Sequence, residues 1–214
     1  MTALRILVAD DHEIVRRGVR VLLEARPGWR ICDEAVEGRE AVEKAGRLKP
    51  DVVILDIGMP VLNGLEAARQ IRKNSPQCEV LILTMHESEQ VVREVLTAGA
   101  RGYVLKSDAG RDLVRAVEAL SRHETFFTSS VAEFVLHSYL DARGGRPDAS
   151  AVTPREREVI QLLAEGRGNK EVATTLGISV RTAETHRTNI MRKLDCHSFS
   201  DLVRYAIRNN IITP

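Results

Sequence analysis

Through the first 120 residues, short apolar runs alternate with longer stretches in which apolar positions recur every three or four residues. The runs lie at residues 4–9, 52–55, 80–83 and 103–105, with a weaker one at 29–36. Short, nearly continuous apolar runs fit strands buried on both faces of a parallel sheet. Ile14, Val15, Gly18, Val19, Leu22 and Leu23 show the other pattern, a stripe near the 3.6-residue period of a helix. Strands and helices in this alternation predict βαβ units. Five of them predict an α/β doubly wound domain on a five-stranded parallel sheet.

From Ser121 the rhythm stops. Residues 130–140 (SVAEFVLHSYL) read as one connecting helix, and 141–150 (DARGGRPDAS) as a flexible linker, rich in Gly, Pro, Asp and Ser. The segment from Val152 onward has no strand run. Thr153-Pro154-Arg155-Glu156 fits a helix start, with Thr as N-cap, Pro in the first turn and Glu156 closing a capping box. Residues 169–176 and 180–194 are helical in pattern. Gly177-Ile178-Ser179 between them supplies a C-cap glycine and a second N-cap, which is a helix-turn-helix. The predicted organisation is a first domain over residues 1–120, a linker with one helix over 121–151, and a small all-α helix-turn-helix domain over 152–214.

Composition narrows the class. With 214 residues, 43% apolar and 29% charged, the chain is neither disordered nor collagenous. Its three cysteines, Cys32, Cys78 and Cys196, are far apart and form no CxxC pair, so a disulfide framework or zinc finger is not supported. No apolar run approaches the roughly 20 residues that span a bilayer, and the start shows no signal-peptide pattern. The expectation is a cytoplasmic protein without a membrane partner. The net charge of +1 argues against a nucleic-acid partner only until it is divided. Residues 153–214 hold 10 Lys/Arg and 7 Asp/Glu, a net of +3, leaving 21 and 23, a net of −2, in residues 1–152. The positive balance lies in the segment with the helix-turn-helix, whose second helix is the one that enters a major groove.

Chemistry is concentrated at the strand ends. The first run ends in Asp10-Asp11, the third in Asp56, the fourth in Thr84 and the fifth in Lys106. Ligands of a parallel sheet bind outside the carboxyl ends of its strands, so these side chains converge on one edge. Carboxylates packed together repel, and a hard divalent cation such as Mg²⁺, which takes oxygen ligands, removes the repulsion. Asp56 is then a candidate nucleophile for a phosphoryl group. Lys106 and the Thr84 hydroxyl are placed to stabilise the charge in transfer. His86 is either an exposed loop histidine or a group that tunes attack by water.

The pattern ADD, DIGMPVLNG, LTMH and GYVLKSD resembles the receiver domain of bacterial two-component response regulators over residues 4–120. The resemblance implies a flavodoxin-like fold, Asp56 as phosphoacceptor, and Mg²⁺ held by Asp10, Asp11, Asp56 and the backbone carbonyl of Gly58. It also implies phosphoryl contacts from Thr84 and Lys106, and Tyr103 as aromatic switch. Two positions depart from the commonest receiver pattern. Bulky Met85 follows Thr84 and predicts narrower access to the phosphate. Ser107 follows Lys106 where proline is frequent, so nothing there favours a cis peptide.

The segment TPREREVIQLLAEGRGNKEVATTLGISVRTAETHRTNIMRKL is similar to the DNA-binding domain of LuxR-type regulators, and the two halves together resemble the NarL/FixJ class. The resemblance implies that Glu184, Thr185 and Thr188 face bases, while Ser179, Arg181, Arg187 and Lys193 contact phosphates. Glu184 could accept from a cytosine amino group, or pair within the helix with Arg181 or Arg187. On the last helix Phe199, Leu202, Val203, Ala206 and Ile207 form an apolar stripe. The resemblance implies that this helix also carries the dimer contact, with Leu202, Val203 and Ile207 as candidates and core packing the alternative reading.

The expected function is a DNA-binding transcriptional regulator switched by a sensor histidine kinase, binding promoter DNA as a homodimer once phosphorylated. The alternative is a phosphorylation-independent regulator that uses the receiver for dimerisation. An enzyme is disfavoured, because Gly58 stands where a phosphatase would carry a second carboxylate and no GxxxxGK[ST] loop occurs.

Overall fold

The computed structural model describes residues 3–128, 131 and 152–212. It comprises two compact units, one built on a sheet and one of helices only. The predicted linker helix over 130–140 and the linker over 141–150 lie outside the described residues, Val131 excepted.

In the first unit the elements are β1 (Leu4–Ala9), α1 (Glu13–Glu24), β2 (Trp29–Ala35), α2 (Gly38–Leu48), β3 (Val52–Leu55), α3 (Gly64–Asn74), β4 (Glu79–Thr84), α4 (Glu89–Thr97), β5 (Gly102–Leu105) and α5 (Ala109–Ser121). A single 3₁₀ turn, Lys106–Asp108, joins β5 to α5. The strands are parallel in the order β2-β1-β3-β4-β5. The chain runs outward from β1 on one side and returns to β3 on the other, so the topological switch falls between these two strands. Their register pairs Ala9 with Leu55, which brings the next residues, Asp10 and Asp56, out side by side.

Every residue of β3 and β4 is buried, the reason both read as unbroken apolar runs. Successive side chains serve opposite faces. Leu7, Val53, Leu55, Val80, Ile82 and Tyr103 pack with α2, α3 and α4. Ile6, Val8, Val52, Ile54, Leu81 and Val104 pack with α1 and α5.

The turn after Asp56 is fixed by sterics. A Cβ on Gly64 would lie 1.9 Å from the Asp56 carbonyl oxygen, so only glycine lets α3 begin there. The Gly64 amide donates to the Ile57 carbonyl at 3.0 Å. Val61, in the same loop, sits at φ +67°, a strained position for a β-branched residue that costs about 1–3 kcal/mol.

Beyond α5 the sheet gains a short addition that the sequence pattern does not announce. His123 adopts φ +61° and the chain turns back along β5. The Phe126 amide donates to the Arg101 carbonyl at 2.9 Å, and the Tyr103 amide donates to the Phe126 carbonyl at 3.0 Å. Gly102 and Phe126 thus form a parallel bridge.

The second unit has α6 (Pro154–Ala164), α7 (Asn169–Leu176), α8 (Val180–Lys193) and α9 (Phe199–Arg208). The Thr153–Glu156 capping box is present, with Pro154 in the first turn. Gly177 ends α7 at φ +63°, the left-handed conformation that glycine adopts without steric cost, and the Ile178 amide reaches back to the Ala173 carbonyl at 3.0 Å. The Ser179 hydroxyl accepts from the Thr182 amide and starts α8. Val159, Ile160, Leu163, Val172, Ala183, Ile190, Leu202 and Ala206 are buried.

Candidate functional site

At the carboxyl ends of β1, β3 and β5 the Lys106 ammonium spans two carboxylates, 2.8 Å from Asp10 Oδ2 and 3.0 Å from Asp56 Oδ2. The Ile57 amide donates to Asp56 Oδ1 at 2.8 Å, and the His12 amide to Asp10 Oδ1 at 2.8 Å. Asp10 and Asp56 are both buried, while Asp11 is exposed at the rim. Burial raises the Asp56 pKa. The Lys106 charge opposes that, and the negative charges of Asp10 and Asp11 reinforce it, leaving a net upward shift. For Lys106, burial pulls the pKa down, but the hydrogen bond to Asp10 and the charge of Asp56 outweigh it and the net shift is upward.

One ammonium facing three carboxylates is short of positive charge. Donor atoms of Asp10, Asp11, Asp56 and His12 all lie within 4.8 Å of one another. The carboxylate set suits a hard divalent cation. Gly58, two residues past Asp56, is half-exposed in the same loop.

Thr84 is fully buried at the end of β4, and its Oγ1 accepts from the His86 amide at 3.2 Å. The Tyr103 ring is buried, and its hydroxyl donates to the His86 carbonyl. Burial, with Glu87 adding to it, pushes the Tyr103 pKa up to about 12, so the hydroxyl keeps its proton at neutral pH. His86 is half-buried, and its backbone N–H and C=O join Thr84 to Tyr103. Met85 is largely exposed. No cis peptide occurs among the described residues.

The sequence reading missed His12. Its Nδ1 lies 2.7 Å from Asp11 Oδ1 and 3.3 Å from Asp10 Oδ1. Its place directly after the Asp pair was the available signal.

On α8, Ala183 and Ile190 turn inward. At ~100° per residue, Arg181, Thr185, Thr188 and Arg192 lie on the opposite side, with Glu184 beside them, and all five are exposed. Glu184 forms no ion pair with Arg181 or Arg187 among the described residues. The Thr185 and Thr188 hydroxyls donate to the Arg181 and Glu184 carbonyls at 2.8 and 3.0 Å, which leaves their methyls and oxygen lone pairs outward. Arg187 is exposed on the flank. Arg192, absent from the predicted contact set, shares the outer face and donates to Asn189 Oδ1 at 3.2 Å.

One predicted contact needs correction, and another has a partner within its own unit. The Lys193 ammonium pairs with Glu156 Oε2 at 2.8 Å, which ties α8 to the start of α6. Leu202 is 0% exposed and belongs to the core of the unit, on the helix that packs against α6. The exposed apolar stripe of α9 is Phe199 (45%) and Ile207 (37%), with half-buried Val203 between them.

A parallel sheet with an acid pocket and a lysine at its switch point, joined in one chain to a helix-turn-helix, defines a receiver coupled to a DNA-binding unit. Comparison with known proteins gives the same answer. The response regulator receiver domain matches residues 6–118, and the luxR family of bacterial regulatory proteins matches 150–206. The chain is 38% identical to the oxygen regulatory protein NreC of Staphylococcus carnosus, over 98% of this chain and 99% of that one. The Salmonella typhimurium RcsB response regulator superposes with a TM-score of 0.66 at 27% identity, covering 98% and 99% of the two chains. A structure of the RcsB–DNA complex gives 0.59 at 26% identity, covering 97% and 99%. The chain belongs to the two-component response regulators with a receiver and a LuxR-type DNA-binding domain.

Proposed function

We propose that Asp56 is the phosphoacceptor and that its phosphorylation by a sensor histidine kinase controls binding of promoter DNA by the second unit. The observation that carries this reading is the buried Asp56 carboxylate held by a lysine that also holds Asp10. An Asp56 oxygen attacks the phosphorus of a phosphohistidine. The O–P bond forms, the P–N bond breaks, and the released imidazole nitrogen takes up a proton. Asp10, Asp11 and Asp56, with the Gly58 carbonyl, would hold Mg²⁺, whose charge offsets that of the phosphoryl oxygens. Lys106 pairs with one phosphoryl oxygen and the Thr84 hydroxyl donates to another. Movement of Thr84 toward the phosphoryl group pulls on the His86 amide, and so on the Tyr103 hydroxyl at the His86 carbonyl.

In the second unit Glu184, Thr185 and Thr188 face bases, and Ser179, Arg181, Arg187 and Arg192 meet phosphates. A homodimer forms through Phe199, Val203 and Ile207, the exposed stripe of α9. The chain is a regulator acting in the cytoplasm, not an enzyme. No described helix is long and apolar enough to cross a membrane. Treatment with Mg²⁺ and acetyl phosphate tests the reading. Wild type gains one phosphoryl group by intact mass and Asp56→Asn gains none. An Asp56→Asn protein that regulates as well as wild type would instead establish a phosphorylation-independent regulator.

A further inference from the structure

The chain does not leave the receiver at the end of α5. Residues 124–128 return along the open edge of β5 as a strap. The edge is the one that carries Tyr103, and an open edge offers unpaired amides and carbonyls to any neighbour. Here the Tyr103 amide is bonded to the Phe126 carbonyl and the Phe126 amide to the Arg101 carbonyl. The two rings that follow divide between the faces of the sheet. Phe126 packs on the cluster with α1 and α5, and Phe127 on the cluster with α2, α3 and α4, where Val131 is also buried. The Arg115 guanidinium lies 5.8 Å from the centre of the Phe126 ring.

The beginning of the strap is fixed by side-chain contacts as well. The His123 carbonyl accepts from Arg101, and His123 Nδ1 lies 2.9 Å from the buried carboxylate of Glu79, which Arg101 also reaches at 3.2 Å. Tyr103 is bonded at both ends, through its hydroxyl to the His86 carbonyl and through its amide to Phe126. The bonded path therefore runs from Thr84 through His86 and Tyr103 to Phe126, and the chain beyond Thr128 leads to the DNA-binding unit.

The geometry points to the strap at residues 124–128 as the output element of the receiver, the segment through which the position of Tyr103 reaches the DNA-binding unit. This inference rests on the reading of Asp56 as phosphoacceptor. A switch needs an element with two arrangements that a local event can bias. The strap fits: it lies at the edge of the sheet, bonded there to Arg101 and Tyr103 and seated by two half-buried rings, so it can part from β5 while the four inner strand pairings stay intact.

The test uses the full chain, acetyl phosphate with Mg²⁺, hydrogen exchange of the peptide covering 124–128, and binding of a mixed-sequence DNA duplex at low salt. In wild type, phosphorylation changes exchange in that peptide and shifts duplex affinity about tenfold. Phe126→Pro has no amide to give the Arg101 carbonyl. It takes up the phosphoryl group by intact mass, yet its affinity shift falls below about twofold. Phe127→Ala keeps both backbone bonds and gives a smaller loss of the shift; it decides the matter if Phe126→Pro does not fold. Unchanged exchange at 124–128 in phosphorylated wild type, or a full affinity shift in the phosphorylated variants, overturns the inference. If wild type takes up no phosphoryl group, the Asp56 reading fails by itself, and Tyr103→Phe judges the strap. That variant must change both exchange at 124–128 and duplex affinity without phosphate, and no change in either overturns the strap as well.

Discussion

The acid pocket of the receiver and the outer face of α8 use charge in opposite ways. In the pocket, Asp10, Asp56 and Lys106 are shielded from water, bonded to one another and tied to the backbone that builds the sheet. On α8, Arg181, Glu184, Thr185 and Thr188 stand in solvent, and the helix is held from its other side by Ala183 and Ile190. Groups in the pocket are part of the stability of the fold, whereas those on the helix can change with little effect on it. Substitutions that remove chemistry should therefore move stability in the first region and leave it alone in the second.

The largest expected effect is at Asp56. Asp56→Asn abolishes phosphate uptake and also stabilises the metal-free protein at neutral pH. The sign follows from the upward pKa shift. The folded state holds the Asp56 proton more tightly than the unfolded chain, so stability is lost as pH rises from the unfolded value toward the folded one. Asparagine removes that loss. Urea unfolding in EDTA should show a gain in stability, and added Mg²⁺ should stabilise wild type more than the variant.

The next largest effect separates two neighbouring stripes of α9. Leu202→Ala leaves a cavity in the core and costs about 2–5 kcal/mol in urea unfolding. Ile207→Ala stays within about 0.5 kcal/mol of wild type and weakens the phosphorylated dimer in sedimentation. Equal stability losses at the two positions would mean that the exposed stripe is core after all.

Arg181→Ala should leave unfolding unchanged and reduce the slope of log affinity against log salt by about 0.9 for each lost phosphate contact. The smallest effect is at Lys193. Lys193→Ala costs under about 1 kcal/mol, because its pair with Glu156 is partly exposed. Burial raises the Glu156 pKa, but the hydrogen bonds from Lys193 and Thr153 outweigh it and the net shift is downward. The contribution of this pair is therefore present above the unfolded Glu156 pKa and is lost as pH falls through the folded one. The salt slope of DNA binding in Lys193→Ala stays near that of wild type.

What could be read in advance was short-range or periodic. Unbroken apolar runs marked β3 and β4, and the residue after each run marked the pocket. The Thr153 and Ser179 caps and the Gly177 turn are interactions among residues a few positions apart, and the structure has all of them. Helical periodicity found the stripe on α9 but not which edge of it faces the core, since Leu202 and Val203 both satisfy the spacing. The strap was invisible because HETFFT has no alternation, and its pairing joins Phe126 to Arg101 and Tyr103, more than twenty positions earlier.

By itself the sequence determined that four of five strands end in a polar and charged cluster and that a capped helix pair follows with an excess of basic side chains. Local propensity and a fixed repeat suffice for that, because each signal lies within a few residues of the backbone it shapes. The tertiary structure decided the rest. It set Lys106 between Asp10 and Asp56, turned Leu202 inward, bound Lys193 to Glu156 and laid Phe126 against Tyr103. Each of these depends on how elements distant in the chain pack and which atoms they exclude from water.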